Sequence, residues 1–429
     1  MTSSLQQMLG LQAHLHGGGH DAEKGVRRFM INAKELPEME IFDELIAVAD
    51  NSLVKQAMAS GRIPVGYNCY SAPVPLMMVG GLFPLRMRAA SITDTSVGSY
   101  YLSRIACSYT RSNLEAIANG TYNFLRAYIS GGACVQMIRV AQHADYISPF
   151  KERIENGDFL VYILDSPNRL SDPTFDLYLA DLKRAAAKLS EIPGVSFTDE
   201  ALSKAIGDLN RHNALLKRIS EYRKGKEPRI AGTEFHKVVV ASLTCPKDLL
   251  EKPMENLIAA LEKRQPITGY KARVMIAGPV LDNPEYTKLI EEQGALVVCD
   301  RYCFGSLPGM EPIPEVGDPW ANMAKYYMET SECSKMMGQF EQRLEEKNNY
   351  IKEFDVDGVI MHYVKFCDLW AYEISMSIDR FLKAGIPAIK IEHDYGFSSA
   401  GQIKTRIQAF LEQVENTSLM SQWRKENLI

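Results

Sequence analysis

Short apolar runs, each closed by Gly, Pro, Asp or Cys and separated by stretches of helical period, constrain this chain more than any other feature. They fall at Ile63–Asn68, Phe83–Met87, Phe124–Ser130 and Phe159–Leu164, and again at Ala272–Ala277, Ala295–Cys299, Gly358–Val364 and Ala388–Glu392. Runs this short, with turn residues at their ends, read as strands. Their alternation with helices predicts parallel sheets built from crossover units. Helices are expected at Cys107–Gly120 and, in the later block, at Pro284–Gln293, Ala321–Gln339, Leu369–Lys383 and Gly401–Val414. Between the blocks the chain turns long, charged and periodic. Pro173–Leu189, Thr198–Arg223 and Lys247–Glu262 fit helices there, Gly225–Pro228 breaks the pattern, and Lys237–Leu243 is the strand-like exception. The expected layout is a tail and helical segment over 1–60, a first α/β domain over 61–170, a helical connector over 171–266 and a second α/β domain over 267–429.

Composition excludes several classes. Of 429 residues 46% are hydrophobic and 24% charged, which suits neither a disordered tail nor a fibre. The formal charge of −5 argues against a dedicated nucleic-acid surface, which shows as a basic excess. No apolar run approaches the roughly 18–20 residues of a membrane span. The first residues lack a signal-peptide layout, so a cytoplasmic location is expected. His14, His16 and His20 around Gly17–Gly19 read as a mobile terminus rather than a built metal site. In a reducing compartment the eight cysteines are thiols, metal ligands or nucleophiles rather than a disulfide framework.

Six of the eight fall at strand exits or in loops. Cys69 follows the first run, Cys107 opens a helix, Cys134 follows the Gly131–Gly132 turn, Cys303 lies in the turn Arg301–Gly305, Cys333 starts or interrupts a helix, and Cys367 follows Gly358–Val364. Ligands of open α/β sheets bind outside the carboxyl ends of the strands, so a cleft between two such domains would collect these thiols. Taken singly, each is also a small buried hydrophobe. Cys299 ends an apolar strand as core, and Cys245 precedes Pro246 with no partner in sight. Soft thiolates with few histidines nearby favour iron–sulfur over zinc or copper.

Other motifs restrict the chemistry. No G-x-x-x-x-G-K-[ST] loop is present, so the chain should not hydrolyse ATP itself. No G-x-G-x-x-G follows a strand, and no G-x-S-x-G elbow occurs. His362 and His393 lie in or beside strands, either as core histidines or as proton carriers near a cluster. Glu392 and Asp394 end the last strand, where a carboxylate serves as acid or base or caps the next turn. Glu392 and His393 are the candidate catalytic pair.

Four ordered groups of motifs carry a resemblance that runs from about Arg62 to Glu415. Gly66-Tyr67-Asn68-Cys69 with Gly80–Pro84, and Ala106-Cys107-Ser108-Tyr109-Thr110-Arg111-Ser112, resemble the 2-hydroxyacyl-CoA dehydratase and benzoyl-CoA reductase family. Gly278-Pro279-Val280-Leu281-Asp282-Asn283-Pro284 is similar to that family as well. So are Val356-Asp357-Gly358-Val359-Ile360, Lys365-Phe366-Cys367-Asp368, Gly385-Ile386-Pro387 and Glu392-His393-Asp394-Tyr395, in the family's order. The resemblance implies two Rossmann-like, doubly wound, mainly parallel-sheet domains joined by the helical connector. It implies an oxygen-sensitive [4Fe–4S] cluster on Cys69, Cys107 and Cys367 with one open iron position. A separate ATP-hydrolysing iron–sulfur activator delivers a single low-potential electron, and related subunits pair as a homodimer or heterodimer. The implied reaction is radical dehydration of a 2-hydroxyacyl-CoA thioester or, in the reductases, reduction of an aromatic ring. Cys134, Cys303 and Cys333 depart from the three-ligand pattern. They resemble those of a homodimeric branch whose double-cubane [8Fe–9S] cluster takes six cysteines from one chain and reduces small molecules, although extra cysteines near these positions also occur in dehydratase and reductase subunits. The dehydratase description stands first, with the double cubane as its alternative. An electron carrier or cluster scaffold and a two-domain solute-binding module are the readings from other classes.

Overall fold

The computed structural model describes residues 35–89, 91–147, 149–306, 310–396 and 400–427. His14, His16 and His20 lie outside them. Among the described residues eight strands form two four-stranded sheets, and every strand pair is parallel. The first sheet has the order β2-β1-β3-β4 and comprises β1 (Ile63–Tyr67), β2 (Leu82–Arg86), β3 (Ala127–Gly131) and β4 (Leu160–Leu164). The second, β6-β5-β7-β8, comprises β5 (Ala272–Val280), β6 (Ala295–Cys303), β7 (Gly358–Val364) and β8 (Ala388–His393). In both, the strand order reverses beside the first strand in sequence, which opens a crevice at the carboxyl edge between β1 and β3 and between β5 and β7. Pro84 is tolerated inside β2 because that strand is the edge of its sheet. Two α/β sheets with covering helices are the architecture that the apolar runs predict.

Four helices fill the middle of the chain: Asp172–Leu189, Asp199–Glu221, Gly232–Thr244 and Lys247–Leu261. The run Lys237–Leu243, strand-like in sequence, is the interior of the third. That helix is buried on nearly every side because it packs on strands and helices of both halves. An apolar run without period does not distinguish a buried helix from a buried strand. Its N-terminus docks on Glu291, whose carboxylate accepts from Gly232 N at 2.8 Å and Thr233 N at 3.0 Å.

Three further expectations shift. The helix expected over Ala321–Gln339 is Pro319–Glu329, and residues 330–339 form an irregular segment in which Gly338 has a φ of 79°. Strand β3 starts at Ala127 because Leu125 N turns back to Tyr122 O at 3.1 Å. Strand β6 continues through Cys303, so that residue ends a strand instead of sitting in a turn, and Cys299 is interior to it. Among the described residues no helix is long and apolar enough to cross a membrane.

Candidate functional site

A cavity opens where the carboxyl edges of the two sheets face each other, with an empty volume of ≈ 960 Å³ that includes solvent at its mouth. Cys69, Cys107, Cys134, Cys303, Cys333 and Cys367 all line it; Cys245 and Cys299 do not. Strand exits place four of them. Cys69 follows β1, Cys134 follows β3, Cys303 ends β6 and Cys367 follows β7. Cys107, Cys134 and Cys367 each immediately precede a helix, respectively Ser108–Ala118, Val135–Ala144 and Asp368–Lys383. The remaining wall is largely apolar, with Met137, Val280, Val364 and Trp370 among its residues.

The backbone is bent to aim these thiols. Phe304 and Phe366, the neighbours of Cys303 and Cys367, have φ of 84° and 64°, a left-handed conformation that costs a non-glycine residue about 1–2 kcal/mol. Strain of this kind persists only where surrounding contacts enforce it. Gly131 is required by close approach, since a Cβ there would lie 2.2 Å from Ser71 Oγ and 2.9 Å from Cys69 Cβ.

Burial pushes the Cys107 and Cys333 thiols up to about 12 and raises Cys134, Cys303 and Cys367 as well. Neighbouring thiols add to this: Cys134 acts on Cys107, and Cys303 and Cys69 act on Cys333. First-turn amides of the adjoining helices pull the other way at Cys107, Cys134 and Cys367. Two buried cations accompany the thiols. Arg86, at the end of β2, lines the cavity with its guanidinium 4.1 Å from the Phe304 ring centre. Lys335 lies two residues beyond Cys333; burial lowers its pKa while Cys69 and Cys333 raise it. Neither cation was flagged by sequence, although an arginine inside the apolar run Phe83–Met87 is the signal that would have found Arg86.

The donor set suits a polynuclear sulfur-rich group better than one ion. Six soft thiols surround a single space, yet among the described residues no three His, Cys, Asp or Glu side chains are close enough to hold one metal ion. Iron–sulfur clusters spread their thiolate ligands over several irons.

Other sequence candidates lie elsewhere. Glu392 is exposed and sits 3.9 Å from Lys390. His393 is buried against Tyr286 at 4.7 Å between ring centres, and its Nε2 lies 3.2 Å from His362 Nδ1. None of Glu392, His393 and His362 lines the cavity. Asp394 pairs with Lys365 at 2.8 Å. Cys245, partnerless in sequence, accepts from Asn51 Nδ2 at 3.3 Å.

The family model for the 2-hydroxyglutaryl-CoA dehydratase D-component matches residues 69–414. The chain is similar to the (R)-phenyllactyl-CoA dehydratase beta subunit of Clostridium sporogenes, 24% identical over 86% of this chain and 97% of that one. It is likewise similar to the lactoyl-CoA dehydratase beta subunit of Anaerotignum propionicum, 24% identical over 87% and 98%. A benzoyl-CoA reductase subunit of Thauera aromatica aligns over 34% of each chain at 26% identity.

Proposed function

The chain belongs to the 2-hydroxyglutaryl-CoA dehydratase D-component family, and from that premise we propose that its six-cysteine cavity holds a low-potential iron–sulfur centre. A separate ATP-hydrolysing activator loads the centre with single electrons. The observation that carries this reading is the convergence of all six loop and strand-exit cysteines on one cavity, with Cys245 and Cys299 left out. Six thiols from one chain match a double-cubane [8Fe–9S] group, and that match puts the eight-iron reading ahead of a single cubane. The substrate is then a small molecule reduced inside the cavity, and the assembly is a dimer.

When bound, such a group supplies single electrons at low potential. The chain's own residues hold it and control its surroundings. Helix N-termini behind Cys107, Cys134 and Cys367 stabilise negative charge on sulfur. Arg86 and Lys335 offset the remaining thiolate charge where water is scarce. The apolar wall excludes solvent that would quench a reduced intermediate.

A second reading keeps the group at four irons on Cys69, Cys107 and Cys367, with radical dehydration of a 2-hydroxyacyl-CoA thioester alongside a related subunit. Its support is that relatives matched along most of their length are named as acyl-CoA dehydratase subunits. Iron and acid-labile sulfide counts after anaerobic purification separate the two. About eight irons per chain are expected, and about four would favour the dehydratase. Cys303→Ser should remove roughly half of the iron, whereas Cys245→Ser and Cys299→Ser should leave it unchanged. Full iron in Cys303→Ser would return the function to the four-iron reading.

A further inference from the structure

The carboxyl end of β2 opens a second cavity, on a different side from the cysteines. Its empty volume is ≈ 1350 Å³, solvent at the mouth included, and Arg86, Arg88, Ile46, Val48, Leu85 and Phe124 are on its wall. None of the six cysteines of the first cavity lines it. We propose that this second cavity binds a small carboxylic acid with an apolar body, its carboxylate held by Arg88 and its hydrocarbon lying against Ile46, Val48 and Phe124. The site is independent of whatever group the cysteine cavity holds.

Strand geometry brings the two arginines together. The ladder runs one residue past β2, since Met87 N donates to Tyr67 O at 2.7 Å. Residues two apart on a strand share a face, so Arg86 and Arg88 point together while Met87 turns into the core. The Arg88 backbone is then pinned from both sides by one hydroxyl. Its amide donates to Tyr122 Oη at 2.7 Å, and its carbonyl accepts from that hydroxyl at 2.5 Å. On the side chain, Nη1 donates to Ile46 O at 2.7 Å, near the end of the helix Glu40–Ala47. Nε is buried with no hydrogen-bond partner among the described residues, and so is Nε of Arg86. The carboxylate facing Arg88 is Asp282, whose Oδ2 lies 3.8 Å from Nε, beyond hydrogen-bond reach. That oxygen already accepts from the Tyr395 hydroxyl at 2.6 Å, and burial pushes the Asp282 carboxyl up. Arg88 thus has a distant and shared counter-charge, an imbalance that a bound carboxylate corrects with a charge-assisted hydrogen bond.

The wall decides what the rest of the ligand is. Its other polar groups are largely engaged: Thr244 Oγ1 donates to Val240 O at 2.8 Å, Thr121 Oγ1 to Asn119 Oδ1 at 2.6 Å, and Asp50 pairs with Lys55 at 3.0 Å. The Arg88 side chain is 13% exposed and Val48 is 54% exposed, so the cation lies deep and the apolar residues reach the mouth. A ligand therefore enters head first, with its tail against hydrocarbon. Inorganic phosphate leaves that apolar wall bare, and a neutral alcohol leaves the guanidinium unanswered.

Titration of the full chain with sodium heptanoate in low-salt buffer, read by calorimetry and by melting temperature, tests the site. One equivalent should bind and raise the melting temperature. Heptan-1-ol, acetate and inorganic phosphate should each bind at least about tenfold more weakly. Arg88→Gln should weaken heptanoate by about ten- to hundredfold, and Arg88→Lys should recover part of the loss. Val48→Asp puts a like charge on an exposed stretch of the wall, where folding is not at stake. It should weaken heptanoate at least about tenfold, with Val48→Leu keeping the wild-type affinity. If Arg88→Gln does not fold, because its bond to Ile46 is lost, the Val48 pair decides alone. The proposal is overturned if heptanoate does not bind, or if heptan-1-ol, acetate or phosphate binds as tightly. It is overturned as well if Val48→Asp binds heptanoate as the wild type does, since the acid then lies elsewhere, as against Arg86 inside the cysteine cavity.

Discussion

Arg86 and Lys335 are 3% and 7% exposed, and no carboxylate forms an ion pair with either among the described residues. An unpaired buried charge is costly, so such residues persist beside groups that can become negative. Here those groups are thiols. Buried histidines answer the same cost by staying neutral. Burial holds His212 down to about 3, with the Lys247 charge adding to it, and holds His236 and His393 down to about 4. Because these folded values lie below the usual ~6.5, the unfolded chain takes up protons first as the solution is acidified. The stability they contribute is complete above that value and is lost as pH falls toward 4. At pH 5 each ring costs about 2 kcal/mol. The urea midpoint should drop between pH 7 and pH 5, and a midpoint that stays put would show that the rings protonate in place.

Strand exits and helix starts do most of the aiming. Cys69 and Cys134 leave neighbouring strands of the first sheet, and the Gly131 backbone passes between their loops with no room for a side chain. Gly131→Ala should cost about 1–3 kcal/mol by overpacking against Ser71 and Cys69. It should also lower iron retention, since it shifts Cys69. Gly401→Ala, with open space around it in a helix, is the control and should be neutral or gain up to about 1 kcal/mol. Denaturation midpoints and iron counts on both variants check this. Equal behaviour of the two would remove Gly131 from the construction of the site.

Tyr395 links the halves of the molecule across the cleft. Its hydroxyl accepts from Ala89 N at 2.9 Å and donates to the buried Asp282 at 2.6 Å, while its own amide donates to Ser108 Oγ at 2.9 Å, beside Cys107. Tyr395→Phe leaves the buried Ala89 amide without its acceptor and removes the hydroxyl from Asp282, which keeps Arg88 at 3.8 Å. The expected loss is about 1–3 kcal/mol in urea denaturation with the m-value unchanged. A wild-type midpoint would mean that the Tyr395 hydroxyl does not contribute to holding the two halves together.

Local pattern was enough for the strands and most helices, because residues such as those of Ile63–Tyr67 and Gly358–Val364 declare their period and their stops within a few positions. It was enough, too, to set Cys69, Cys107 and Cys367 on motifs of a known family and to separate Cys245 and Cys299 from the loop cysteines. Local pattern failed at the helix Gly232–Thr244, whose valines face protein on all sides, and at 330–339, where Tyr70 and Arg301 from distant segments brace an irregular loop. No family motif marks Arg86, or Gln136, whose side chain joins the Cys107 amide to Phe366 and Asp368 around Cys367. Their roles arise because parallel crossovers bring residues far apart in the chain to one sheet edge, and because two such edges face each other. Sequence determined which residues stand at strand ends, a short-range property of side-chain alternation and turn chemistry. Tertiary structure alone decided which of those ends meet, since sheet register and the docking of two domains depend on contacts that no local window contains.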